Sequence, residues 1–171
     1  MRVQSAAVTP HVFRQACSLF ATGVTVISTE HDDVRVGLTV NSFSSVSMDP
    51  PLVLWSLRTH SRSRAYFENA GRFSVSVLSA RQRDVALRFA SGSDDAYAQM
   101  PDVFSGNGLP LIGGALAHMD CTVRAVHEAG DHLIFIGEVV DLAVHGGAPL
   151  LFFAGALSNS ALSSSPVEMI S

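Results

Sequence analysis

GLTVNSFSSVSMDPPLVLWSLRTHSRSR, residues 37–64, decides how this chain is read. Two apolar, strand-like runs flank a small polar cluster, Asn41-Ser42-Phe43-Ser44-Ser45, and a Ser-Arg-Ser-Arg segment closes the stretch at 61–64. Asp49-Pro50-Pro51 interrupts it, because proline withholds a backbone donor and restricts the residue before it. Residues 52–57 are almost wholly apolar, which predicts a strand buried on both faces. Ser61 predicts a helix cap, with the helix running to about Ala70 and Gly71 ending it.

The same punctuation extends in both directions. Thr9-Pro10 pairs an N-cap with a proline at the first helical position. Phe13, Ala16, Cys17 and Phe20 then recur at helical spacing, so residues 10–21 predict an amphipathic helix that ends before Gly23. Residues 24–29 and 34–41 predict a hairpin around His31-Asp32-Asp33. Downstream, 73–78 predicts a strand, and Ser79 with Gln82 a capping box for a helix to about Ala90. Residues 91–114, rich in Gly, Ser, Asp and Pro, predict a long surface loop of the kind that covers a site. Two long strands come next, 115–128 and 132–145, joined at Ala129-Gly130-Asp131. Gly146-Gly147 turns the chain into a last strand, 150–153. Strands joined by hairpins, with helices that do not alternate regularly, indicate a mainly β, antiparallel, closed barrel with peripheral helices. The domain spans 10–157, with an N-terminal extension at 1–9 and a flexible tail at 158–171.

Composition narrows the function classes. The 171 residues are 47% apolar, rich for a free monomer, which points to a buried subunit interface. No apolar run reaches the roughly 20 residues of a spanning helix, and the N-terminus lacks a signal-peptide core, so no membrane role and a cytoplasmic location are expected. A net charge of −4 argues against nucleic acid. All 11 basic residues are Arg, which removes Schiff-base, P-loop and kinase-type lysine chemistry. Cys17 and Cys121 form no CxxC and predict two buried thiols in a reducing compartment. The seven histidines show no metal-ligand spacing.

Three segments can carry chemistry, and each has an ordinary structural alternative. Ser61, Arg62 and Ser63 at a helix start can hold a phosphate with hydroxyls, guanidinium and backbone N–H groups; they equally make an N-cap with solvated arginines. Thr39, Val40, Asn41, Ser42 and Phe43 can pair a strand end with the edge of a polar ring; they equally make an Asx or Ser turn. Gly130, Asp131 and His132 can present an imidazole to a nucleotide, or simply turn a hairpin.

In order and spacing, FATGVTVIST (20–29), GLTVNSFSSVSMDPPLVLWSL (37–57), SRSRAYFENAGRFSVSVLS (61–79), HEAGDHLIFIGEVV (127–140) and PLLFF (149–153) resemble the flavin reductase family that supplies reduced flavin to two-component monooxygenases. The resemblance covers most of residues 10–155. It implies an FMN-binding type split β-barrel, a homodimer with flavin near the subunit interface, FMN or FAD as flavin, and NADH or NADPH as donor. It implies hydride transfer from nicotinamide C4 to flavin N5, with reduced flavin diffusing to the monooxygenase. By the same resemblance, Thr39, Val40, Asn41, Ser42 and Phe43 contact the isoalloxazine and ribityl chain. Leu57, Ser61, Arg62 and Ser63 hold the phosphate, and Phe89 lies along the rest of the cofactor. Gly130, Asp131 and His132 serve the nicotinamide side, with His132 positioning it. Family members often continue the PLL segment with Tyr and Arg-Gly, whereas this chain has Phe152-Phe153-Ala154-Gly155. Phe153 keeps the aromatic body without the hydroxyl, and the arginine charge is missing. That departure motivates two alternatives: a flavin-bound relative with redox-neutral or oxidative chemistry on a natural product, or a non-enzymatic flavin carrier.

Overall fold

The computed structural model describes residues 7–92, 95–98 and 100–158. Its elements, in chain order, are α1 (Pro10–Ser18), β1 (Thr22–Gly23), β2 (Thr25–His31), β3 (Val34–Val40), β4 (Ser44–Met48), β5 (Pro51–Arg58), α2 (Arg64–Ala70), β6 (Arg72–Val77), α3 (Arg83–Ala90), β7 (Ala117–Ala129), β8 (His132–Val144), β9 (Leu151–Phe153) and β10 (Ala156–Ser158). Every pairing between these strands is antiparallel. Seven strands form one sheet in the order β3-β2-β6-β7-β8-β5-β4, and β1-β9-β10 form a small second sheet. Among the described residues no ladder joins β3 to β4, so hydrogen bonds do not close the barrel; it is split rather than closed.

The core is aromatic. Trp55 of β5 stacks on Phe135 of β8 at 4.7 Å and meets Phe67 and Phe73 edge-on at 4.8 and 5.8 Å. Such offset and edge-to-face geometry suits the ring quadrupoles, and four large side chains removed from water dominate the burial term. A second cluster, built on Val24, Val26, Ala86, Phe89 and Leu150, packs α3 against the other face of β2. Covered on both faces, residues 25–29 of β2 are all buried.

Several boundaries differ from the sequence expectations, each for a local reason. Helix α1 stops at Ser18 because the Leu19 N–H already bonds the Ala16 carbonyl, three residues back. None of its residues is buried, so Phe13 is 63% exposed and Cys17 is exposed rather than a buried thiol. Strand β5 alternates: Val53, Trp55 and Leu57 are buried while Leu52, Leu54 and Ser56, which the pleat turns to the opposite face, are only half-buried. The serine-rich β4 carries little strand signal, yet it pairs with β5 through a bulge at Ser45/Ser47. Helix α2 begins at Arg64, with Ser63 rather than Ser61 at its cap. Helix α3 begins at Arg83; the Gln82 side chain accepts from the Ser79 N–H at 2.9 Å, which is half of the predicted capping box. The last strand turns at Ala154-Gly155, both at positive φ, into the unforeseen β10. The predicted tail lies, beyond Ser158, outside the described residues, as do residues 1–6 of the extension.

The long loop between α3 and β7 is pinned by buried hydroxyls. Ser74 donates to the Pro110 carbonyl at 2.5 Å, Ser76 accepts from the Ile112 N–H at 3.1 Å, and Tyr97 donates to Ser28 at 2.5 Å. Burial pushes the Tyr97 phenol up to about 12. Among the described residues no helix is long and apolar enough to cross a membrane.

Candidate functional site

The ends of β3, β5 and α3 and the β7–β8 turn converge on one cleft of about 820 Å³, within the size range of small-ligand sites. Leu38 through Ser42 form one wall, Ser56 to Arg58 with His60 to Arg62 another, Phe89 and Ala90 the floor, and Asp131 with His132 the far edge. Sheet register accounts for the meeting: Arg58 at the end of β5 lies directly opposite His132 at the start of β8. Gly130, at φ 62, provides the left-handed residue that lets a two-residue turn return the chain at that point.

Hydrogen bonds hold the walls in place. Thr39 Oγ1 donates to the Ala86 carbonyl at 2.7 Å, tying α3 to β3. Ser42 Oγ accepts from the Ser56 N–H at 2.9 Å, tying the polar cluster to β5. Ser61 Oγ accepts from the Ser63 N–H at 3.3 Å, and Arg62 reaches the Gly92 carbonyl at 3.0 Å. Phe89 is 1% exposed and rests on Gly37, where an added Cβ would lie 2.6 Å from its ring.

His132 Nδ1 lies 2.7 Å from Asp131 Oδ1. The ionised carboxylate is only an acceptor, so Nδ1 carries the proton and Nε2 is left to a ligand. The bond to His132, then the charge on that ring, holds the Asp131 carboxyl below its usual range. Asp131 is therefore a firm carboxylate that orients the imidazole, and a poor proton donor near neutrality.

Ten of the residues singled out in the sequence line this one cleft: Thr39, Val40, Asn41, Ser42, Leu57, Ser61, Arg62, Phe89, Asp131 and His132. Gly130 shapes the adjoining turn without lining it. Three others lie elsewhere. Phe43 packs its apolar ring against the Trp55 cluster. Ser63 lines a smaller neighbouring cavity. Phe153 is 46% exposed on β9, beside the Ala154-Gly155 turn. Leu38, Ser56, Arg58, His60 and Ala90 were missed; for Arg58 the available signal was a lone cation ending an apolar strand.

The cleft offers an apolar floor for a flat ring, a polar strand end along its edge, and hydroxyl and guanidinium groups at one extremity. That donor set fits a flavin with its phosphate. Comparison with known proteins agrees. Residues 17–161 match the family described as "Flavin reductase like domain". The chain is 44% identical over 154 residues to the reductase subunit HsaB of a flavin-dependent monooxygenase from Mycobacterium tuberculosis, covering 88% of this chain and 82% of that protein. It is 43% identical over 144 residues to the FMN reductase (NADH) SmoA of Agrobacterium fabrum, covering 84% and 82%. Among solved structures, the Streptomyces globisporus C-1027 NADH:FAD oxidoreductase SgcE6, in complex with NAD and FAD fragments, is 35% identical with a TM-score of 0.86, covering 94% of this chain and 100% of that one.

Proposed function

This chain belongs to the flavin reductase like family, and we propose from that premise that it is an oxidoreductase that reduces FMN or FAD with NADH and supplies the reduced flavin to a partner monooxygenase. The observation that carries this reading is the convergence of three separate segments, 38–42, 56–62 and 131–132, on one cleft. When bound, the flavin supplies the hydride acceptor and NADH the hydride. The chain's own residues place them. Asn41 and the backbone around it meet the polar ring edge, Leu57 and Phe89 give it an apolar bed, and Ser61 and Arg62 hold the phosphate. His132, fixed by Asp131, positions the nicotinamide. The work asked of the protein is proximity and orientation, which suits an edge carboxylate held firmly ionised.

We place two further properties with this reading. Val140, Leu142 and Val144, in the exposed end of β8, are 56, 60 and 75% exposed. An apolar row of this kind is what a second copy covers in a homodimer. The exposed thiol of Cys17 suits a reducing, cytoplasmic compartment. Turnover is tested by mixing protein, NADH and each flavin and monitoring loss of reduced-nicotinamide absorbance. Fast oxidation is expected; flavin binding without NADH oxidation would sink the reductase reading. Leu142→Asp should convert a dimer to monomer in sedimentation, and a monomeric unaltered protein would refute the dimer.

A further inference from the structure

Arg58 ends β5 beside the Asp131–His132 turn and lines the cleft with both of them. It is directly opposite His132 in the β5–β8 ladder. Residues opposed in this way point to the same face, with Cβ atoms roughly 5 Å apart. The guanidinium and the imidazole therefore leave the sheet side by side. The next residue fixes the root of Arg58. Thr59 donates twice to the Asp131 carbonyl, through its N–H at 3.0 Å and its Oγ1 at 3.2 Å.

The head of Arg58 is not fixed. It is exposed, and among the described residues it makes no hydrogen bond or ion pair. Arg62, the other guanidinium of the cleft, is already bonded to the Gly92 carbonyl. The nearby carboxylate is committed as well, since Asp131 Oδ1 lies 2.7 Å from His132 Nδ1. His132 is the chief cause that holds the Asp131 carboxyl below its usual range, and the Arg58 charge adds the least. One cation with a rigid root and five uncommitted N–H donors thus stands next to the imidazole. A guanidinium presents those donors in a planar fork that matches phosphate oxygens. The hydride donor carries such oxygens one ribose away from its nicotinamide. A nicotinamide positioned by His132 brings its diphosphate to the neighbourhood of Arg58.

Resting on the reductase reading, we propose that Arg58 clasps the diphosphate of NADH and makes this cleft favour the dinucleotide over a dihydronicotinamide that lacks phosphate. The test is steady-state kinetics with NADH and with reduced nicotinamide riboside as donors, at saturating flavin. The unaltered protein should show a higher kcat/KM for NADH. Arg58→Gln should raise the KM for NADH about tenfold, as losing one charge-assisted contact produces. The kcat, the KM for flavin and the KM for the riboside should move much less, the pattern of lost uniform binding. Arg58→Lys should restore part of the affinity, because it keeps the charge without the fork. ADP-ribose should inhibit the unaltered protein competitively against NADH, and Arg58→Gln more weakly. A KM for NADH that Arg58→Gln leaves unchanged would overturn the proposal, as would a variant that weakens NADH and the riboside alike. Equal use of both donors by the unaltered protein defeats this proposal alone; oxidation of neither defeats the reductase reading with it. If Arg58→Gln does not fold, the donor preference and ADP-ribose inhibition of the unaltered protein still decide.

Discussion

Replacing Gly37 by Ala tests whether the cleft floor is set by the contact between β3 and α3. An alanine Cβ at this position would stand 2.6 Å from Phe89 Cε1, 2.7 Å from Cδ1 and 3.1 Å from the Tyr97 hydroxyl. Phe89 has little room to yield. It is 1% exposed and edge-on to Tyr97 at 4.9 Å. Its helix is tied to β3 by the Thr39–Ala86 bond, and the Tyr97 hydroxyl is committed to Ser28. Overpacking of a tight site costs about 1–3 kcal/mol. Alanine recovers roughly 0.5–1 kcal/mol over glycine in a strand through lower chain entropy. Repulsion wins, leaving a net loss of roughly 1–2 kcal/mol, or roughly 2–8 °C in melting temperature for a chain of this size. Because Phe89 and Thr39 both line the cleft, flavin affinity should fall several-fold as well. Thermal melts and flavin titration of Gly37→Ala, Phe89→Leu and the double variant measure this. The smaller leucine makes room for the added methyl, so the double variant should be more stable than the sum of the single losses by about 1 kcal/mol. A neutral Gly37→Ala, or strict additivity in the cycle, would show that the contact between Gly37 and Phe89 does not set the floor.

Ser61→Ala should weaken FMN and FAD about tenfold and riboflavin little, since a hydrogen bond to a charged group contributes roughly 1.5–3 kcal/mol; equal loss for riboflavin would show that the hydroxyl acts only through the Ser63 N–H. His132→Ala should raise the KM for NADH more than that for flavin, and Asp131→Asn should do so more weakly by freeing the ring; steady-state kinetics with each substrate varied separates this from a purely structural role, which would move both constants alike. Stability should fall at alkaline pH. Burial pushes the Cys121 thiol from 9.0 up to about 12, with Asp120 adding to the shift, and burial likewise raises the Tyr97 phenol from 10.0 to about 12. Both neutral forms favour the fold, so their contribution is complete below the unfolded values and is lost as pH rises through that window. Urea unfolding from neutral pH to about 11 should show this decline, and Cys121→Val should reduce its slope; an unchanged slope would count against the thiol.

The parts legible in the sequence were those governed by short-range rules. Thr9-Pro10 started α1 as expected, and the Thr9 hydroxyl accepts from the Val12 N–H. Gly71 ended α2 in the left-handed conformation, at φ 64. The turn at 130–131 joined the two long strands as an antiparallel hairpin, as expected. The features that sequence reading missed depended on tertiary neighbours. Strand β4 exists because β5 offers it an edge, not because Ser44 to Met48 favour strand. Strand β5 was expected to be buried on both faces because apolar composition does not say whether an outer surface awaits a helix or a second subunit. Ser63 and Phe153 left the main cleft because periodicity places a residue on a face but not beside a particular cavity.

Serine shows why the site was harder to read than the fold. The sequence offers hydroxyls along most strands, and a hydroxyl can meet a ligand or brace the chain equally well. The structure divides them by burial. Ser28, Ser74 and Ser76 are fully buried, and each bonds the long loop. Left unpaired there, each would incur a desolvation penalty, so bracing is their full role. Ser42 and Ser61 are only partly buried at the cleft wall; each accepts one backbone N–H and keeps its own proton to donate. A hydroxyl that is fixed by one bond and still has a donor left is already oriented for an anionic or carbonyl oxygen. The same residues can therefore serve as wall and as ligand contact, and a reading that treats turn and site as alternatives at 41–42 and 61–63 opposes two roles that one fold accommodates together.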